Sequence, residues 1–270
     1  MSVQIHPVTD LASLLDLETV KPDAYLGSGP VLGWGRIYGG QVVAQALRAA
    51  ALTVEDGKLP HSLHAYFIRA GNENEAVLYE VDRVRDGRSF ATRQVVAYQS
   101  GGAILNLIAS FQHAEEGLEV QSIAGPIQPV APENLKREPT GLFMDHRLVM
   151  RESKPEPRAQ SWLRVTEDIG DDPVVHACAL SYLSDEDLLG TALMTHPIAP
   201  DWESLIAASL DHAIWFHRPV RATDWLLFDQ HGHGIANARG MAFARVFTQD
   251  GTHVATVAQE GLGRARRFIV

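Results

Sequence analysis

The feature that most constrains this chain is that its two halves read alike. "HSLHAYFIRAG" (61–71) resembles "ASLDHAIWFHRPV" (208–220): Ser-Leu, then His-Ala, an aromatic pair and Arg. Each is followed by three strand-like segments. They are "AVLYEVDRVRDG", "SFATRQVVAYQ" and "AILNLIASFQH" in the first half, and "DWLLFDQHG", "ARGMAFARVFTQ" and "THVATVAQEGLG" in the second. Gln99 to Gly102 and Gln249 to Gly251 supply hairpin turn chemistry between strands. Ser62 and Gln112 are 50 residues apart, as are Ser209 and Gln259. Shared order and shared spacing together imply an internal duplication.

Each repeat also places a helix before its strands. "GGQVVAQALRAAAL" is apolar or small nearly all round, so the helix it forms must be buried. "DPVVHACALSYLSDEDLL" opens with Pro173, suited to a first helical turn, and is as apolar up to Leu183. A buried helix wrapped by antiparallel strands, repeated twice, is an α+β architecture. The expected organisation is a first repeat over 1–115, a connection over 116–160 and a second repeat over 161–270. The connection is read from "GPIQPVAPENLKREPTG" and "ESKPEPRAQ".

The glycines of "GWGRIYGG" (33–40) raise the question of a phosphate loop. A dinucleotide fingerprint needs a preceding strand and a parallel βαβ unit, and no Gly-Lys-Ser/Thr occurs. The other reading is that Gly39 and Gly40 let the backbone turn tightly into a helix lodged against a sheet.

Composition excludes several classes. A net charge of −10 argues against a nucleic-acid surface and against docking on anionic lipid. No run approaches the roughly 18 apolar residues of a membrane span. The N-terminal stretch lacks a basic n-region, and "RRFIV" is no peroxisomal address of the Ser-Lys-Leu type. With Cys178 as the single cysteine no intrachain disulfide forms, and a cytoplasmic setting is expected.

"YGGQVVAQAL", "RDGRSFATRQV", "SYLSD", "SLDHAIWFHRP" and "VAQEGLGR", together with "HSLHAYFIRAG", resemble the acyl-CoA thioesterase II family from about Leu32 to Arg264. The resemblance implies a double hot-dog fold, an acyl-CoA substrate, hydrolysis of its thioester, a homo-oligomer, and no metal or organic cofactor. It also implies that Asp185 (in "YLSD"), Ser209 (before "DH") and Gln259 (in "QEG") form a hydrogen-bonded set that orients a water. The first helix contains no Asp or Glu, so one site per chain is expected, with Ser62 and Gln112 as a degenerate pair. Coenzyme A, being phosphorylated, would need a local basic patch against the overall charge.

The residues taken singly leave other readings open. Asp185 in "SDEDLL" can be a solvated helix end, Ser209 a turn cap, and Gln259 a backbone contact. A carboxylate near an apolar helix is costly to bury unless hydrogen-bonded, and can serve as a general base. His212, three residues after Ser209, is expected on the opposite strand face, and His231 and His233 have no cysteine or second His pair at zinc-site spacing beside them. His64 has a structural reading, and Cys178 is read as a packing residue. Gly-x-Ser-x-Gly is absent. Alternative functions are a hot-dog enoyl-CoA hydratase and a non-catalytic acyl-CoA-binding module. The hydratase pairs Asp with a His a few residues later, and none follows Asp185 that closely.

Overall fold

The computed structural model describes residues 8–126, 129–139, 141–154, 156–196 and 204–266. The "RFIV" of the C-terminus and the first seven residues lie outside them. Contacts divide the chain into two units, residues 1–117 with 167–182, and residues 118–166 with 183–270.

The first unit contains α1 (Leu11–Leu15), β1 (Glu18–Lys21), β2 (Ala24–Gly27), α2 (Gly39–Ala51), β3 (Lys58–Phe67), β4 (Val77–Asp86), β5 (Phe90–Gln99) and β6 (Gly102–His113). Its antiparallel strands lie in the order β1-β2-β4-β5-β6-β3. Alternation of side chains sends Val77 and Tyr79, Ala91, Val95 and Ala97, and Leu105, Leu107 and Phe111 to the buried face. Helix α2 lies on β4, β5 and β6 and buries Val43, Ala44, Leu47 and Ala50 completely. Gln45 is tolerated inside because Tyr79 Oη donates to its Oε1 at 2.7 Å and its Nε2 donates to Leu14 O and Ser28 O at 2.8 Å. Past the end of α2, buried Arg93 donates to Thr53 O and Thr53 Oγ1 and pairs with Asp86.

The glycine question is answered by two different contacts. Gly33 and Gly35 take positive φ (76° and 73°). The amides of Leu32, Gly33 and Gly35 donate to the Glu73 carboxylate at 2.7, 3.0 and 2.8 Å. Burial raises the Glu73 pKa, but these amides outweigh it and hold the group below its ordinary value. The loop's donors thus serve an anion the chain itself supplies. Gly40 is needed for close approach rather than for a turn: a Cβ there would lie 2.5 Å from Tyr182 O.

The remaining elements are β7 (Met144–Glu152), β8 (Arg158–Val165), α3 (Pro173–Leu183), α4 (Leu188–Leu193), β9 (Leu205–Ser209), β10 (Asp211–Phe216), β11 (Leu226–Ala236), β12 (Arg239–Thr248) and β13 (His253–Ala265). The second unit's antiparallel order is β10-β13-β12-β11-β8-β7, with β9 also paired to β13. The stretch 116–160 is therefore not only a connection, since it holds β7 and the start of β8. "MDHRLVMRE" hides its strand because charged residues fall on both faces. Helix α3 up to Tyr182 groups with the first unit, and the helix lying on β11, β12 and β13 is α4. Six residues of "LLGTAL" carry too little periodicity to be read as a separate helix. The sheet admits α4 through glycine: a Cβ at Gly240 would lie 2.5 Å from Ala192 O, and one at Gly232 2.7 Å from Thr191 O. Among the described residues no helix is long and apolar enough to cross a membrane.

Candidate active site

Helix α3 ends at Leu183, and the four polar residues after it form turns before α4. None of Ser184, Glu186 and Asp187 is a loosely solvated helix end. Ser184 Oγ lies 2.8 Å from His212 Nε2, Glu186 Oε1 lies 3.5 Å from His146 Nδ1, and Asp187 pairs with Arg151. Gln230 Nε2 donates to Glu186 O at 3.1 Å, and Asp187 takes a left-handed φ of 63° that starts α4. Asp185, half-buried, is held within this anchored turn.

Gln259 gathers the site. Fully buried on β13, it donates through Nε2 to Asp185 Oδ1 at 3.0 Å and to Ser209 Oγ at 2.5 Å. Its Oε1 lies 3.2 Å from His212 Nδ1. The three residues expected to act together are thus joined through one amide. Both amide hydrogens are used in these bonds, so Gln259 holds the other two side chains rather than a water. Ser209 accepts from Gln259 and keeps its own proton for another acceptor.

His212 corrects the sequence reading. Strict alternation would send it away from Ser209, yet both contact Gln259. The cause is a break between β9 and β10. Ser209 pairs with Gly261, whereas Ala213 pairs with Ala258, which leaves one extra residue on this side. Leu210 N donates to Glu260 O at 2.9 Å and Asp211 Oδ1 accepts from Glu260 N at 2.7 Å, which closes the break. The signal was present as the inserted Asp of "SLDHA" against "SLHA". Burial lowers the His212 pKa to about 4, so the ring is neutral at neutral pH.

The first repeat does not reproduce this arrangement. Ser62 lies opposite Ser110, two positions before Gln112 on β6, whereas Ser209 lies opposite Gly261, two positions after Gln259 on β13. The equal spacing of 50 therefore joins pairs that sit differently in their sheets. Cys178 is fully buried, and burial pushes its thiol up to about 12, which suits packing and not nucleophilic attack. His231 pairs with Asp229 at 3.1 Å while His233 lies against Phe243, and no group of three or more His, Cys, Asp or Glu among the described residues could hold a metal ion.

The fold defines the class first. A hot-dog protein of unknown function from Alicyclobacillus acidocaldarius matches 94% of the chain with a TM-score of 0.77 at 18% identity. The crystal structure of acyl-CoA thioesterase II TesB2 from Mycobacterium marinum matches 96% of this chain and 99% of its own, with a TM-score of 0.83 and 38% identity. Sequence then narrows the class. Residues 143–262 match the acyl-CoA thioesterase model and residues 30–112 that of the acyl-CoA thioesterase N-terminal domain. Human acyl-coenzyme A thioesterase 8 is 35% identical over 95% of this chain and 89% of its own. Acyl-CoA thioesterase 2 of Haemophilus influenzae is 31% identical over 95% and 98%. The chain belongs to the acyl-CoA thioesterase II family, thioester hydrolases with a double hot-dog fold.

Proposed function

We propose that this thioesterase cleaves acyl-CoA to a free acid and CoA with a water activated directly by Asp185. The supporting observation is the Gln259 amide, which binds the Asp185 carboxylate and the Ser209 hydroxyl at once. Asp185 takes a proton from water as the water oxygen bonds to the thioester carbonyl carbon. The tetrahedral intermediate collapses, the carbon–sulfur bond breaks, and the proton returns from Asp185 to the leaving sulfur. Ser209, fixed by Gln259, keeps its proton and aims the attacking water through a hydrogen bond.

The test is thiol release from acetyl-, octanoyl- and palmitoyl-CoA by the parent and by Asp185→Asn. Asparagine keeps the shape and an acceptor for Gln259 but cannot take the proton, so kcat should fall by on the order of 10²-fold or more. Parental turnover in a folded Asp185→Asn protein overturns the assignment. Thiol release also separates this reading from a hydratase and from a binding module, neither of which frees CoA. A single, buried cysteine fits a reducing compartment such as the cytoplasm. Assembly of copies through sheet edges is the family expectation for this chain, read by light scattering.

A further inference from the structure

Gln259 presents an amide whose two ends are chemically opposite, and the site works only in one orientation. With Nε2 toward Asp185 and Ser209 it donates to both. Rotated by half a turn about the final bond, it would set Oε1 against the Asp185 carboxylate and leave two acceptors facing each other. The ionised Asp185 disfavours that rotation by itself. The restraint weakens at the step where it matters, because Asp185 becomes neutral on taking the proton from water.

On the other side of the amide stands the fully buried His212 ring. Its Nε2 lies 2.8 Å from Ser184 Oγ and its Nδ1 lies 3.2 Å from Gln259 Oε1. A serine hydroxyl can donate to Nε2, which leaves the proton on Nδ1 and makes Nδ1–H a donor to Gln259 Oε1. The bonds then run in one direction: Ser184 O–H to His212, His212 N–H to Gln259, and Gln259 N–H to Asp185 and Ser209. Each donor is fixed by the bond before it, and the chain begins one residue from Asp185.

We propose that His212 is a positioning residue for the hydrolysis, holding the Gln259 amide in its working orientation while Asp185 passes through its neutral state, with Ser184 selecting the tautomer. It touches neither water nor substrate. This rests on the reading of Asp185, Ser209 and Gln259 as the site. Burial keeps the ring neutral at working pH, so Nε2 stays free to accept from Ser184.

The experiment is single-turnover and steady-state hydrolysis of octanoyl-CoA by the full chain carrying H212L, H212N, S184A and Q259A, and by H212L and S184A each combined with Q259A. Misplacing a reacting group by about an ångström costs up to on the order of 10²-fold. H212L should therefore lower kcat by roughly 10- to 100-fold with KM within about 2-fold. H212N puts an amide donor near the Nδ1 position and should recover most of that loss. In the Q259A background H212L and S184A should each change kcat by less than about 2-fold, because their effect passes through an amide no longer present. Equal factors in both backgrounds would overturn the proposal. S184A carries the same cycle with a change of a single hydroxyl, so a failure of H212L to fold does not remove the test. Parental kcat in Q259A would refute the reading of the site, a result distinct from additivity.

Discussion

The neutral, oriented state of His212 can be measured on the ring itself. Burial moves its pKa from 6.5 to about 4 in the folded protein. The unfolded chain then binds a proton more tightly than the folded one between those values, so stability is full above about pH 6.5 and falls as pH drops toward 4. Each pKa unit is worth about 1.4 kcal/mol, so a shift of about 2.5 units removes about 2 kcal/mol by pH 5 and about 3 kcal/mol by pH 4. Burial and the neighbouring His217 lower His253 in the same direction. The quantity to read is therefore the parent minus His212→Asn difference in unfolding free energy, which should shrink across this window. Imidazole ¹⁵N spectra, assigned with the same variant, give the direct reading. At neutral pH they should show Nδ1 protonated and Nε2 accepting, with titration well below pH 6.5. A ring that titrates near 6.5, or an Nε2–H tautomer at neutral pH, would refute the orientation argument.

Gly240→Ala would push a Cβ to within 2.5 Å of Ala192 O; overpacking of this kind costs about 1–3 kcal/mol, and a lower Tm than the parent's is expected in a thermal melt. Ser62→Ala and Gln112→Ala should leave kcat within a few-fold of the parent, while Ser209→Ala and Gln259→Ala should each lower it by on the order of 10-fold or more. Equal losses from both pairs would point to two working sites. Glu73→Gln replaces an acceptor of three loop amides with a group that has one acceptor oxygen. It should lower the unfolding free energy relative to the parent, read in a denaturant melt, and speed proteolysis near Trp34.

The sheets were readable because strand alternation and hairpin turns are local. "AVLYEVDRVRDG" and "THVATVAQEGLG" lie within an end residue or two of β4 and β13. Helix α4 was not, because what makes "LLGTAL" a packed helix is glycine on three distant strands: Gly232 on β11, Gly240 on β12 and Gly263 on β13. The Glu73 clamp was hidden for the same reason, its partners being about forty residues away in sequence. Asp185, Ser209 and Gln259 came from motif order, and geometry then showed one amide joining them. The place of His212 beside Gln259 is hidden in the sequence because alternation of faces holds only in an unbroken strand, and Leu210 interrupts this one.

If water attacks the thioester directly, no acyl group is ever attached to the protein. Ser209 and the Asp185 carboxylate are the rival nucleophiles. Single-turnover hydrolysis of octanoyl-CoA in H₂¹⁸O, with mass spectrometry of both the acid and the quenched protein, separates them. Direct attack places ¹⁸O in the octanoic acid on the first turnover and leaves the peptides carrying Asp185 and Ser209 unlabelled and unacylated. Octanoyl-Ser209, an acyl adduct on Asp185, or ¹⁸O in the Asp185 peptide would contradict it.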